Sequence, residues 1–310
     1  GAILGGWIDR IRNQFALFGV LEVIVGITVL CILPIMHQLP SYVVPIVTSF
    51  AGSFQTLLTI EFLLVFALMV VPTFVMGGIF PLAAKIASRH LNRVDRSVGE
   101  IYAANTLGAV FGSFAAGFIL IPAFGVQSTI FIGVAINIAI GVFFLIKGSQ
   151  TLLPRIGAVG IVLVALSAMV LFPAPDPLLL NSAPYLYAHR YEGKETRDAI
   201  PLERVMKKNR RLLFAEDGLT ASVTVVESAG ELYLKVNGKT DASSKGDLRS
   251  QSLLSHLPLI LHSDPSDVLL VGLGSGISLG AAEQHPVKRI ECVEISTEVA
   301  AACRLFGKVN

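Results

Sequence analysis

Val268-Leu-Leu-Val-Gly-Leu-Gly-Ser-Gly276 decides the fold of the C-terminal part of this chain. Asp267–Val271 is a short run of β-branched and Leu residues, the length and composition of one buried parallel strand. It breaks into Gly272, Gly274 and Gly276, where the backbone can turn sharply and let a ligand approach closely. Ile277-Ser-Leu-Gly-Ala-Ala-Glu283 can then start a helix. Arg289-Ile-Glu-Cys-Val-Glu-Ile295 follows as a second strand that ends on Glu294. Glu294 stands 22 positions after Gly272, close to the spacing of roughly 20 at which an acid reaches ribose hydroxyls. The dinucleotide fingerprint wants a sixth-position glycine, and Ile277 stands there. What remains is G-x-G-x-G, the form used by folds that bind nucleosides of the S-adenosylmethionine type. A tight packing turn is the alternative for the glycines alone. The strand, turn, helix, strand and terminal acid taken together favour the nucleoside.

Outward from this stretch the composition changes. Of the 310 residues 53% are hydrophobic and only 15% charged, and the mean hydropathy is +0.70. That is too apolar for a single soluble protein, and the apolar part lies before residue 173. A net charge of +2 argues against a nucleic-acid partner. Cys31, Cys292 and Cys303 lack metal-ligand spacing and suggest no disulfide framework, so no metal is expected.

Five stretches are long and apolar enough to cross a bilayer, which takes about 20 residues. They are Phe15–Ile35, Leu57–Phe80, Ile101–Phe124, Val126–Ile146 and Ile156–Phe172. Tyr42–Phe54, interrupted by Pro45, Ser49, Gly52 and Ser53, reads as an interfacial or re-entrant piece. Glu22 and Glu61 within spans call for a partner or a cavity. Ala104, Gly108, Gly112 and Ala116 form a small-residue stripe that lets another helix approach. After Phe172, Pro173-Ala-Pro-Asp-Pro177 stops any helix. A basic cluster, Arg204, Lys207, Lys208, Arg210 and Arg211, reads as a solvated or lipid-headgroup face. Ala221–Glu227 and Glu231–Val236 read as paired strands with turns at Ser228-Ala-Gly230 and Asn237-Gly238. Asp247–His262 starts as a helix that Pro258 ends or kinks. The expected domains are 1–172, a transmembrane helical domain; 173–213, a linker; 214–262, a β-hairpin domain with its helix; and 263–310, an incomplete Rossmann-like domain of the class I methyltransferase type.

The runs Gly218-Leu-Thr-Ala-Ser-Val-Thr-Val-Val-Glu227, Leu234-Lys-Val-Asn-Gly-Lys239, His256-Leu-Pro-Leu259 and Val268–Gly276 with Glu294 resemble polyamine synthases of the spermidine synthase type. Met76-Gly-Gly-Ile-Phe-Pro81 and Tyr102-Ala-Ala-Asn-Thr-Leu-Gly-Ala109 look like the membrane-fused branch of that family. Gly5-Gly-Trp-Ile-Asp-Arg10 is similar to a loop of major facilitator transporters. The resemblance implies a membrane-bound transferase of polyamine biosynthesis. Its reaction moves an aminopropyl group from decarboxylated S-adenosylmethionine, the co-substrate, to a small amine, and a homodimer is a further implied partner. Gly272, Gly274, Ser275 and Gly276 would line the cofactor, and Glu294 would take the ribose hydroxyls. Asp247, Gln251 and His256 are the substrate-side candidates, with an N-terminal helix cap the equal alternative for Asp247. The pattern also departs from the family. Ser275 replaces an Asp that holds the donor's amino group, Ala221 a Gln, Ser250-Gln251 a Tyr-His pair, and Ser296 an Asp. The catalytic aspartate is expected beyond Asn310, and the chain is expected to be cut at both ends. Two other readings stand beside this one: a transporter-like membrane protein whose soluble part binds a regulatory nucleoside, and an S-adenosylmethionine-dependent methyltransferase.

The distribution of Lys and Arg sets an orientation. Arg10 and Arg12 precede the first span, Lys85, Arg89, Arg93 and Arg96 follow the second, and Lys147 and Arg155 follow the fourth. Met36–Thr56 and Gly125 carry neither. Five crossings of a bacterial inner membrane then place everything after Phe172 on the outer side. A miscounted span at Tyr42–Phe54 would place it in the cytoplasm.

Overall fold

The computed structural model describes residues 11, 13–91, 94–149, 152–172, 174–191 and 202–310. The loop motif at Gly5–Arg10 lies outside them, as does 192–201 of the expected linker. A helical N-terminal region is followed by an α/β region, and the chain divides into two compact units. One holds 1–36, 50–120 and 126–174; the other holds 37–49, 121–125 and 175–310.

Among the described residues of the N-terminal region the helices are α1 Gln14–Ser49, α2 Phe54–Leu91, α3 Val94–Ala115, α4 Ile121–Gly148 and α5 Leu152–Leu171, with a π-helical turn at Ala116–Leu120 between α3 and α4. Three apolar runs among the described residues are long enough to cross a membrane: Gln14–Ser49, Phe54–Ala87 and Gly99–Gly148. The expected spans Ile101–Phe124 and Val126–Ile146 both fall in the third run. They are separated where Gly125 adopts φ +79°, ψ 167°, a conformation that breaks the helix at small steric cost only for glycine. The fifth expected span is the shorter apolar helix Ile156–Leu171. Tyr42–Ser49 does not form a separate re-entrant piece. It continues α1, and the turn comes at Phe50–Ser53.

Close packing in this region uses other glycines than the expected stripe. A Cβ on Gly19 would lie 2.5 Å from the Gly141 carbonyl oxygen, and one on Gly26 would lie 2.8 Å from Ile138. These glycines let α1 and α4 approach, and Leu30, Leu33, Val134, Ile138 and Ala165 of α1, α4 and α5 fill the core beside them. Around Gly108 and Gly112 no described atom lies within 4 Å of the added Cβ, so that stripe faces outward here. Glu22 is buried and Glu61 half-buried.

Among its described residues the α/β region begins with the short helices α6 Pro177–Leu180, α7 Pro184–Tyr191 and α8 Leu202–Lys207. Asp176 caps α6, accepting from the Leu178 N–H at 2.9 Å. A four-stranded antiparallel sheet follows in the order β1 Arg210–Asp217, β2 Ser222–Ser228, β3 Glu231–Val236, β4 Lys239–Ser243. β1 starts inside the stretch expected as a linker, pairing Arg210 with Ser228 and Asp217 with Ser222. Its sequence, Arg-Arg-Leu-Leu-Phe-Ala-Glu-Asp, lacks the period-2 alternation that marks a strand, and a register shift between Leu212 and Phe214 matches that lapse.

α9 Leu248–Leu261 follows, running past Pro258 instead of ending there. A parallel β-α-β unit comes next: β5 Asp267–Val271, α10 Ile277–Glu283 and β6 Arg289–Val293, in register from Asp267↔Arg289 to Val271↔Val293. α11 Thr297–Cys303 and a 3₁₀ turn at Arg304–Phe306 close the chain's described part. One apolar core joins these pieces. Val223, Val225, Leu234 and Ala242 of the sheet pack on Val299, Ala302 and Phe306. The small sheet therefore packs on the helix that follows the β-α-β unit, and all of them fall in one compact unit.

Candidate functional site

The site grows out of the turn between β5 and α10. Gly272, Gly274 and Gly276 all take positive φ, at +95°, +54° and +82°. The three differ in what surrounds them. A Cβ on Gly276 would lie 2.8 Å from Cys303 Sγ and Asn310 Nδ2, whereas nothing lies within 4 Å of one on Gly272 or Gly274. The first two glycines thus open on empty space, and the third packs the turn against the body.

Glu294 follows the last residue of β6 and reaches back across to this turn. Its Oε2 accepts the Leu273 N–H at 2.8 Å, and its Oε1 accepts the Ser296 N–H at 3.0 Å. Burial raises the carboxyl's pKa, but the backbone N–H groups of Ser296, Leu273, Gly274 and Ile295 outweigh it and hold the group below its ordinary value. The N–H groups of the turn and of the residues after β6 thus surround the Glu294 carboxylate and fix it, ionised, to the glycine turn.

Ser275 sits differently. It is 1% exposed, and its hydroxyl donates to Gln251 Oε1 at 2.5 Å. Gln251 Nε2 donates in turn to the Ser243 carbonyl at 2.9 Å, and Ser278 Oγ donates to the Gln251 carbonyl at 2.8 Å. Ser275 and Gln251 thereby tie the turn to α9 and to the end of β4.

Asp247 occupies the N-cap position of α9, yet its side chain makes no capping bond. Its exposed carboxylate stands one helical turn before Gln251, whose N–H donates to the Asp247 carbonyl at 2.9 Å. His256 stacks obliquely on His285, with Nδ1 and Nε2 2.8 Å apart. His285 had no sequence signal: it follows α10 in an ordinary polar turn, and only the fold brings it to α9. A cavity of about 490 Å³ lies between α9 and β5, reaching Gly272 and Ser278. Among the described residues no three His, Cys, Asp or Glu side chains gather in a way that could hold a metal ion.

No family model matches the chain. A polyamine aminopropyltransferase of Archaeoglobus fulgidus is 28% identical over 105 residues, 34% of this chain and 39% of the relative. Polyamine aminopropyltransferase 1 of Streptomyces coelicolor is 24% identical over 237 residues, 74% of this chain and 41% of the relative. The chain is a distant homologue of these aminopropyltransferases. It spans about two fifths of the length of the curated relatives it matches. The solved spermidine synthase from Thermotoga maritima aligns at 24% identity over 32% of this chain and 36% of its own, with a TM-score of 0.30.

Proposed function

We propose that the α/β region is a Rossmann-like, methyltransferase-type nucleoside site of an aminopropyltransferase, carried on a membrane-embedded helical region. The observation that supports this best is Glu294, locked by the Leu273 N–H beside two glycines that face empty space. On this reading Gly272 and Gly274 let the nucleoside lie against the backbone, and Glu294 takes the ribose hydroxyls. Ser275 and Gly276 hold the turn in shape. Asp247, Gln251 and His256 on α9 form the substrate side.

The reaction is a displacement at carbon. The acceptor amine's lone pair attacks the propyl carbon next to the sulfonium, and the C–S bond breaks with its electrons going to sulfur. The thioether nucleoside leaves, and the new ammonium gives its proton to a base. Holding the two reactants in line supplies much of the rate. Asp247, exposed and without a capping bond, is the carboxylate on α9 best placed to attract a cationic amine.

A membrane location is supported by the long apolar runs and by their outward hydrophobic side chains, Phe62, Phe66, Phe111 and Phe118 among them. A homodimer remains part of the proposal by resemblance to the family.

A second reading is favoured by Ser275. Its buried hydroxyl, committed to Gln251, puts no carboxylate in the turn to hold the donor's amino group. A regulatory domain that binds a plain nucleoside needs no such group. Calorimetric titration of the full chain with decarboxylated S-adenosylmethionine, S-adenosylmethionine and NAD tests the site. Binding of either sulfonium nucleoside without NAD supports it, and preference for NAD overturns it. Formation of methylthioadenosine with putrescine separates the transferase from the second reading.

A further inference from the structure

The four-stranded sheet has two faces, and only one belongs to the core described above. Along β3, Leu234 points into that core, so Tyr233 and Lys235 point to the other face. α6 and α7 cover this second face. Between α7 and the sheet lies a cavity of about 100 Å³, lined by Tyr187, Arg190, Tyr191, Arg210, Tyr233 and Lys235 among others, roughly the room of three waters. Lys235 is 8% exposed. Its Nζ donates to the Asn181 carbonyl at 3.0 Å, leaving two of its three protons for other partners. Arg190 lies over the Tyr187 ring and Arg210 over the Tyr191 ring, at 4.6 and 5.2 Å. Among the described residues no carboxylate pairs with any of the three cations. Glu231 comes nearest through Tyr233, and its own oxygens are held by Tyr233 and the N–H groups of Lys245 and Gly246. In register with Lys235, Thr224 has a buried hydroxyl without a partner among the described residues. Burial first, and then the Arg210 and Arg190 guanidinium groups, push the Lys235 ammonium down to about 8.

Three cations lining one cavity, aromatic walls and, among the described residues, no carboxylate paired with them are the chemistry of an anion site. We propose that this cavity binds a phosphate-type oxyanion, with Lys235 at its floor, Arg210 at its side and Arg190 at its rim. The lining shares no residue with the cavity that reaches Gly272, so the site is separate from the one around Glu294 and stands whether or not that reading holds. Phosphate could reach it as a free anion or as a lipid headgroup. The second source has a structural basis, because Tyr187 and Tyr191 pack on Val44 and Val47 at the end of α1, the first of the long apolar helices.

The test uses the full chain in dodecyl maltoside micelles, which contain no phosphate. Inorganic phosphate is titrated in one arm and phosphatidylglycerol in mixed micelles in the other, with thermal stability as the readout and potassium chloride at equal ionic strength as the control. Saturable stabilisation is expected, with an apparent affinity roughly tenfold or more weaker in Arg190→Gln and Arg210→Gln, the scale of one lost charge-assisted hydrogen bond. Response to phosphate identifies a free anion, and response to the lipid alone identifies a headgroup. Lys235→Met should abolish the response, and if that variant fails to fold, the exposed rim residue Arg190 still decides. No stabilisation in either arm, or stabilisation that Arg190→Gln and Arg210→Gln leave intact, overturns the proposal.

Discussion

At the scale of single residues, Glu294 carries structure and, on the proposed reading, binding. Its carboxylate closes the glycine turn through Leu273 and Ser296. Glu294→Ala is expected to weaken adenosyl-sulfonium binding by about 1.5–3 kcal/mol, the worth of hydrogen bonds to a charged group. Equal calorimetric affinities in wild type and variant would remove Glu294 from the site. The same residue makes stability depend on pH. Its folded-state pKa lies below the ordinary 4.5, so its contribution is complete above about 4.5 and is lost as pH falls through the depressed folded value. Wild type should therefore melt above Glu294→Gln at pH 7, with the two curves converging as pH falls below 4.5. A gap that stays constant down to the acid limit would show that the carboxylate's charge is irrelevant to the turn. Ser275, Ala221 and Gln251 bear on substrate choice. They stand where the family carries groups that recognise donor and acceptor, so spermidine formation from putrescine should be slow. Turnover of the full chain at about 1 s⁻¹ or above, inside the ordinary enzyme range, would show those departures to be harmless.

At the scale of elements, the glycine turn separates packing from binding. Gly276→Ala meets Cys303 and Asn310 as well as an unfavourable φ, and should cost more than the roughly 1–3 kcal/mol of left-handed strain alone. Gly274→Ala carries the strain without the clash. It should cost less stability and more affinity, since its methyl enters the space assigned to the nucleoside. Chemical denaturation and titration of both variants check this, and equal losses of stability would undo the distinction. These elements show what the sequence makes legible. β5, the glycine turn, α10, β6 and Glu294 are successive in the chain, and their periodicity and punctuation are local. β2 and β3 are legible for the same reason, each being a run of alternating residues beside a turn. What stays hidden depends on distance along the chain. Ser275 and Gln251 are 24 residues apart and His256 and His285 are 29 apart, and no spacing rule joins such pairs. Lys235 is hidden for another reason. A lysine between Leu234 and Val236 reads as the solvent side of a strand, and only the cover supplied by α7 makes that side an interior.

At the scale of the whole molecule, Phe306 shows how the C-terminal unit coheres. It is fully buried, and it joins the turn after α11 to Val223, Val225 and Leu234 of the sheet. Phe306→Ala should cost about 3–5 kcal/mol and should lower the stability of sheet and β-α-β unit together. Two separate unfolding transitions would show that they are independent. The same unit bears on the side of the membrane. It gathers 37–49 at the end of α1, 121–125 at the break after α3, and 175–310. Met36–Thr56 and Gly125 carry no Lys or Arg, whereas Lys85 and Lys147 lie toward the C-terminal ends of α2 and α4. Basic residues gather on cytoplasmic loops. If the helices cross a membrane five times, this charge pattern puts the α/β region on the face away from the cytoplasm. A single cysteine tests this in intact cells, provided it sits at an exposed position. Ser244 does not qualify, being buried and bonded to the Leu232 N–H. Thr220, exposed in the turn between β1 and β2, does. With Cys31, Cys292 and Cys303 replaced, Thr220→Cys should react with a membrane-impermeant maleimide before lysis. Protection until the cells are opened would place the region in the cytoplasm, beside the supply of adenosyl nucleosides, and would require an even number of crossings.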